Sequence, residues 1–282
     1  MSHPKYLGGM YVEESGTPGS PDILFIHGMG QSGRIWQGHM TKLSHFHCLA
    51  PDLPGFGRSN HLAPSSNGHI VALLAELIGS RVPGQLVHVV GLSWGATLAL
   101  TLLSRHPELV DRVIADGTPI HWPRASRLPL LYVLTAALPF KHARWFRALF
   151  GNVMDEADLR DASRLAFWRA FVGSMERLPP LAETSNPTLL VAGEQEGWYR
   201  PSNAALAALM PHGEAWYAPG LDHCWQRQAP DLHIRTIEAW VGGQELPTEL
   251  RREPTPSPEA VRVRAIARPR AEEAAVRVER GV

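Results

Sequence analysis

An apolar run, Gln85-Leu86-Val87-His88-Val89-Val90, ends in Gly91-Leu92-Ser93-Trp94-Gly95 and passes at once into Ala96-Thr97-Leu98-Ala99-Leu100-Thr101-Leu102-Leu103, which His106-Pro107 stops. The first stretch reads as a buried strand and the last as a helix, so residue 93 stands on a tight strand-to-helix turn. Side chains at 91 and 95 would collide with the adjoining backbone of such a turn, which is why both are glycine. The serine hydroxyl then projects above a sheet with a helix N-terminus behind it, an arrangement suited to acyl transfer. The pentapeptide alone arises by chance in roughly one chain in ten of this length, so its weight comes from these flanks. Ser93 is the candidate nucleophile.

The same alternation runs from Pro4 to about Trp240. Strands are expected at Met10–Glu14, Ile23–His27, His47–Pro51, Leu86–Val90, Arg112–Ala115, Thr188–Ala192 and Ala215–Ala218. Helices are expected at Gly33–Leu43, Gly68–Gly79, Trp94–Arg105, Asn203–Met210 and Asp231–Val241. Short apolar runs interleaved with helical patterns predict an α/β fold, a mostly parallel sheet flanked by helices. The rhythm breaks once, between Thr118 and Asn186, where the chain is rich in Trp, Phe, Leu and Arg and prolines stop the helices. We therefore expect core residues 1–118, an inserted helical lid at 119–186, core again at 187–242, and a tail at 243–282. Trp122, Trp145 and Trp168 of the insertion are the candidate substrate-binding side chains. From 251 onward the chain has no aromatic residue and too little apolar surface to fold alone, so disorder is expected there.

Lysine plus arginine balance aspartate plus glutamate at 27 each. Bulk charge therefore gives no reason to expect a nucleic acid or an anionic membrane as partner. The opening Met1-Ser2-His3-Pro4-Lys5 lacks the apolar stretch of a signal peptide and no run reaches membrane-spanning length, so a soluble cytoplasmic protein is expected. Cys48 and Cys224 make no disulfide framework and are expected to be reduced. His39, His45, His47, His61 and His69 lack the spacing of a metal site, and neither metal nor cofactor is expected. Oligomeric state is left open.

Four separated segments resemble the α/β-hydrolase superfamily over roughly residues 8 to 242: His27-Gly28-Met29-Gly30 after a strand, Asp52-Leu53-Pro54-Gly55-Phe56-Gly57-Arg58-Ser59 after the next, the turn at Ser93, and Pro219-Gly220-Leu221-Asp222-His223 before the last helix. The resemblance implies that His223 is the base that takes the serine proton. It implies an acid after the strand Thr188–Gly193, where Glu196 stands in place of the commoner aspartate. Asp116, at the end of the preceding strand, is the alternative acid. A tetrahedral intermediate needs fixed N–H donors for its oxyanion. The turn supplies that of Trp94, and the resemblance assigns the second to Met29. His27, Asp52 and Arg58 are read as organisers of their loops.

Serine rather than aspartate at the turn disfavours the superfamily's epoxide hydrolases and haloalkane dehalogenases, which need a carboxylate nucleophile. The expected activity is hydrolysis of a small or medium, largely apolar carboxylic ester through an acyl-serine. A thioesterase, a lactonase and a carbon-carbon bond hydrolase share that chemistry, and a small-molecule sensor of the same fold with little turnover shares the residues.

Overall fold

In the computed structural model the described residues are 6–63, 65–118, 129, 132–133, 136–141, 143–146, 157–158, 163–174, 178–197, 199–254 and 256. Among them the strands are β1 (Tyr6–Leu7), β2 (Met10–Ser15), β3 (Asp22–Ile26), β4 (His47–Pro51), β5 (Val87–Leu92), β6 (Val110–Asp116), β7 (Thr188–Gly193), β8 (Gly213–Ala218) and β9 (Arg251–Arg252). They form one sheet in the order β1-β2-β4-β3-β5-β6-β7-β8-β9. Strands β4, β3, β5, β6, β7 and β8 run parallel, and β1, β2 and β9 add antiparallel edges.

The central strands are apolar without interruption because both faces of the sheet are covered. On β3, Ile23 and Phe25 enter one layer while Leu24 and Ile26 enter the other, as the two-residue side-chain period requires. The first layer is closed by Met40 of α1 (Gln37–Lys42) and by Ile234, Ile237 and Trp240 of α7 (Pro230–Val241). The second takes Ile70 and Leu74 of α2 (Asn67–Arg81), Leu98 of α3 (Trp94–Arg105), Phe167 of α4 (Arg164–Ser174) and Ala204 of α5 (Arg200–Ala207). A one-turn helix, α6 (Trp225–Gln228), precedes α7. Each fully buried Leu, Ile or Phe is worth about 1.5–3 kcal/mol, so the two layers hold the strand ends stiffly. No helix among the described residues is long and apolar enough to cross a membrane.

All seven expected strands are present, His47–Pro51 with both ends unchanged and the others with ends moved by no more than two residues. The expected helix Gly33–Leu43 is divided into a 3₁₀ turn, Gly33–Trp36, and α1. That expected at Asn203–Met210 starts earlier, at Arg200, because Pro201 sits in the first turn, where its missing N–H is harmless. None of the described residues between 119 and 186 is in a strand.

The expected tail boundary at 243 is corrected. Leu250 is buried, β9 pairs antiparallel with β8, the Glu253 N–H donates to the Ala215 carbonyl at 2.8 Å, and the Glu253 carboxylate meets Arg200 Nε at 2.5 Å. One buried leucine and backbone pairing anchor this segment, neither of which shows as an apolar pattern. Residue 255 and residues 257–282 lie outside the described residues.

Candidate active site

Because six strands are parallel, the loops that follow β3, β5, β6, β7 and β8 all leave one edge of the sheet. A crevice at the carboxyl ends of strands is where α/β sheets place their ligands. At the end of β5, Ser93 has φ 56° and ψ −117°, the one non-glycine among the described residues with positive φ. A Cβ at position 91 would stand 2.4 Å from the Gly95 carbonyl oxygen, and one at 95 would stand 2.3 Å from that of Ile26. Only glycine fits at either. The Ser93 N–H donates to the Asp116 carbonyl at 2.7 Å, which fastens the turn to β6. Ser93 is partly exposed.

Glu196 follows β7 by three residues, and its buried carboxylate faces two ways. Oε1 accepts from the Gly193 N–H at 2.9 Å, and Oε2 accepts from His223 Nδ1 at 2.7 Å. With the proton on Nδ1, the other ring nitrogen is left as an acceptor. The His223 ring, 31% exposed, sits on the loop between β8 and α6. Burial pulls its pKa down, but the charge and hydrogen bond of Glu196, with Asp116 and Asp222, outweigh burial, and the net direction is up. Gly117, at φ 58°, makes room beneath the ring: a Cβ there would lie 2.8 Å from both Cε1 and Nδ1. Tyr199 packs beside it, with ring centroids 5.6 Å apart.

Asp116 is fully buried and turns elsewhere. Its Oδ1 accepts from Trp225 Nε1 at 2.8 Å, and its Oδ2 lies 3.5 Å from His233 Nε2. Burial, then the charge of Glu196, pushes the Asp116 pKa well above the carboxylate range, while burial lowers that of His233 to about 3. Burial thus disfavours charge on both partners of the pair. Of the two carboxylates proposed from sequence, it is that of Glu196 that meets the His223 ring.

The loop after β3 passes directly beside the serine. A Cβ on Gly28 would lie 3.3 Å from Ser93 Cβ and 2.8 Å from Gln31 Oε1, which accepts the Gly28 N–H at 2.9 Å. His27 Nε2 accepts from the Leu53 N–H at 2.9 Å, so its proton is on Nδ1, which donates to the Gly28 carbonyl at 2.8 Å. Both ring nitrogens are used internally and burial lowers the pKa to about 4, so this histidine braces the loop. Met29, half-buried, and Gly30, at φ 76°, follow. The Trp94 amide is the first of α3 and has no carbonyl four residues earlier in the helix to bond. Its indole donates to Asn67 Oδ1 at 3.0 Å, and Asn67 Nδ2 donates to the Gly173 carbonyl of α4 at 2.8 Å.

Asp52 accepts from the Gly33 and Arg58 amides at 2.8 and 2.7 Å and from Arg58 Nε at 2.7 Å. This clamps the turn whose Leu53 N–H holds His27. Phe56 on the same turn touches His27, Trp94 and Phe167, with centroids 5.9, 5.7 and 6.1 Å away. Trp145 and Trp168, proposed from sequence as substrate contacts, are half-exposed, and Trp145 packs on Phe140 and Phe146. Trp122 lies outside the described residues. The inward rings of α4 are Phe167 and Phe171, both buried. The roles of Gly117, Asn67 and Tyr199 were missed in the sequence, where no local pattern marks them.

Cys48 and Cys224 are buried free thiols, each with its pKa pushed up to about 12 by burial. Among the described residues no three His, Cys, Asp or Glu side chains are placed to share a metal ion.

The model of a family described as the alpha/beta hydrolase family matches residues 23–234. An AB hydrolase superfamily protein of Gibberella zeae is 29% identical over 248 residues, 83% of this chain and 84% of that protein. A pimeloyl-[acyl-carrier protein] methyl ester esterase of Vibrio vulnificus is 34% identical over 95 residues, 33% of this chain and 35% of that enzyme. Among solved structures, an esterase from a marine microorganism superposes with a TM-score of 0.69 at 19% identity, covering 82% of this chain and 98% of that one. At that identity the likeness speaks for the fold alone.

Proposed function

The chain belongs to the alpha/beta hydrolase family, and from that premise we propose that it hydrolyses a small or medium, largely apolar carboxylic ester, with Ser93 as nucleophile, His223 as base and Glu196 as the acid behind it. The observation that carries this reading is the 2.7 Å hydrogen bond from His223 Nδ1 to Glu196 Oε2, on the same sheet edge as a serine held in a strained turn.

In the proposed cycle the ester carbonyl lies between Ser93 and the Met29 and Trp94 amides. Ser93 Oγ attacks the carbonyl carbon as its proton passes to His223 Nε2. The oxyanion takes hydrogen bonds from the two amides, and the imidazolium is stabilised by Glu196. Collapse breaks the bond to the alcohol, which leaves with the proton from His223, and the acyl group stays on Ser93. Water then attacks the acyl-serine, giving its proton to His223; the second collapse returns that proton to Ser93 and releases the carboxylic acid. Charge is made and cancelled within the site.

The ester reading over its thioester and lactone rivals is supported by the named esterase among the relatives. A fluorophosphonate probe tests the nucleophile: stoichiometric labelling of the wild type and none of Ser93→Ala is expected. A series of chromogenic esters of rising acyl length, set beside thioesters and lactones, tests the substrate class. Absence of labelling, together with binding of an ester without turnover, would establish the sensor reading instead.

A further inference from the structure

At the other edge of the sheet, where β6, β7 and β8 begin, lies a cavity of about 400 Å³. Four residues of β6, about 13 Å at the strand rise, separate Arg112 in its wall from Asp116 at the active-site end. Arg112 has no hydrogen bond or ion pair among the described residues, and its Nη2 lies 3.3 Å from where a side chain on Gly243 would begin. The absence of a side chain there leaves the guanidinium uncovered. Trp240 also lines the cavity. The Arg112 guanidinium is an obligate donor and accepts nothing. A ligand that satisfies it must be an acceptor, and a bidentate anion matches the guanidinium fork best.

Charge narrows the class. Arg252 and Glu214 also line the cavity, 3.8 Å apart, and Glu214 Oε2 is further held by Trp216 Nε1 at 2.9 Å. Two arginines against one glutamate leave one net positive charge beside His212, enough for one anionic head and too little for a polyanion. Pro187, Pro211 and the Trp240 ring supply the apolar remainder of the wall. From these observations we propose that the cavity binds an organic anion with a single carboxylate or phosphate head on Arg112 and an apolar body against Trp240 and the two prolines, at a site separate from Ser93.

Phenyl phosphate and benzoate are the probes, with benzyl alcohol as the uncharged control and sodium chloride to hold ionic strength constant, since surface charge is screened. Thermal melts of the full chain should rise by about 3 °C at ten times the dissociation constant for at least one anion, and the better of the two names the head group. The rise should persist in Ser93→Ala and vanish in Arg112→Gln. Arg252→Gln, an exposed change that leaves the core untouched, should weaken binding at least threefold and serves alone if Arg112→Gln does not fold. No rise for either anion, a rise equal to that of benzyl alcohol, or one unchanged in both arginine variants overturns the proposal.

Discussion

Ser93 is held at a φ of 56° by the Asp116 carbonyl on one side and α3 on the other, a conformation that costs a non-glycine residue on the order of 1–3 kcal/mol. Ser93→Ala and Ser93→Gly should both lower turnover by roughly four to six orders of magnitude, yet only the glycine variant sheds the strain. After its greater freedom in the unfolded chain is discounted, Ser93→Gly is expected to melt about 3 °C above Ser93→Ala; equal melting temperatures would show that the turn stores nothing. Glu196→Gln should slow ester hydrolysis on the order of ten-thousandfold by losing the imidazole orientation. Its residual activity should also hold to lower pH, because the carboxylate that favours the imidazolium is gone and the His223 pKa drops. Asp116→Asn should stay within tenfold of wild type, since an amide oxygen still accepts the Trp225 N–H. The reverse ranking in initial rates would transfer the acid role to Asp116. Ser93, His223 and Glu196 were legible because each lies at a fixed offset from a glycine or a strand end. Gly117 and Asn67 were not, because Gly117 makes room for His223 and Asn67 joins Trp94 to Gly173, partners that lie beyond the reach of local pattern.

The C-terminal segment and the insertion show what pattern misses among elements. Strand β9 consists of two arginines, and its place on β8 comes from backbone pairing, from Leu250 and from the Glu253–Arg200 ion pair. Cutting the chain after residue 256 should leave the melting temperature within about 1 °C. Cutting it after residue 248 removes a buried leucine, worth about 2 kcal/mol, and should lower the midpoint by about 6 °C. A midpoint unmoved by the longer deletion would mean that β9 does not hold the edge. In the insertion, α4 presents Phe167 to Phe56 and leaves Trp168 half-exposed. Phe167→Leu should therefore redistribute relative rates across an acyl-length series more than Trp168→Ala does; identical profiles would place both outside the acyl pocket. The central strands were legible because burial on both faces leaves an unbroken apolar run. The α5 boundary was not, as a proline in a first turn reads equally well as a stop.

Among the buried histidines of the described residues, His27 has its pKa lowered by burial to about 4, and His39 and His233 each to about 3. Unfolded, they would titrate near 6.5, so between about pH 6.5 and 4 the unfolded chain binds protons that the folded one refuses. Stability present above pH 6.5 is then lost on acidification, by about 1.4 kcal/mol per histidine per pH unit. Asp116, its pKa raised by burial, works the other way. The three rings together contribute a fall of about 4 kcal/mol per pH unit in urea unfolding between pH 6 and 4.5, reduced by about a third in His233→Phe; a flat profile would mean that these rings are hydrated. The two native thiols, buried and unionised at neutral pH, carry a practical consequence. The folded enzyme offers a maleimide nothing to react with, so one cysteine introduced on the insertion and another on β2 would take dyes at those points alone, and the distance between them could be followed through the catalytic cycle in single molecules.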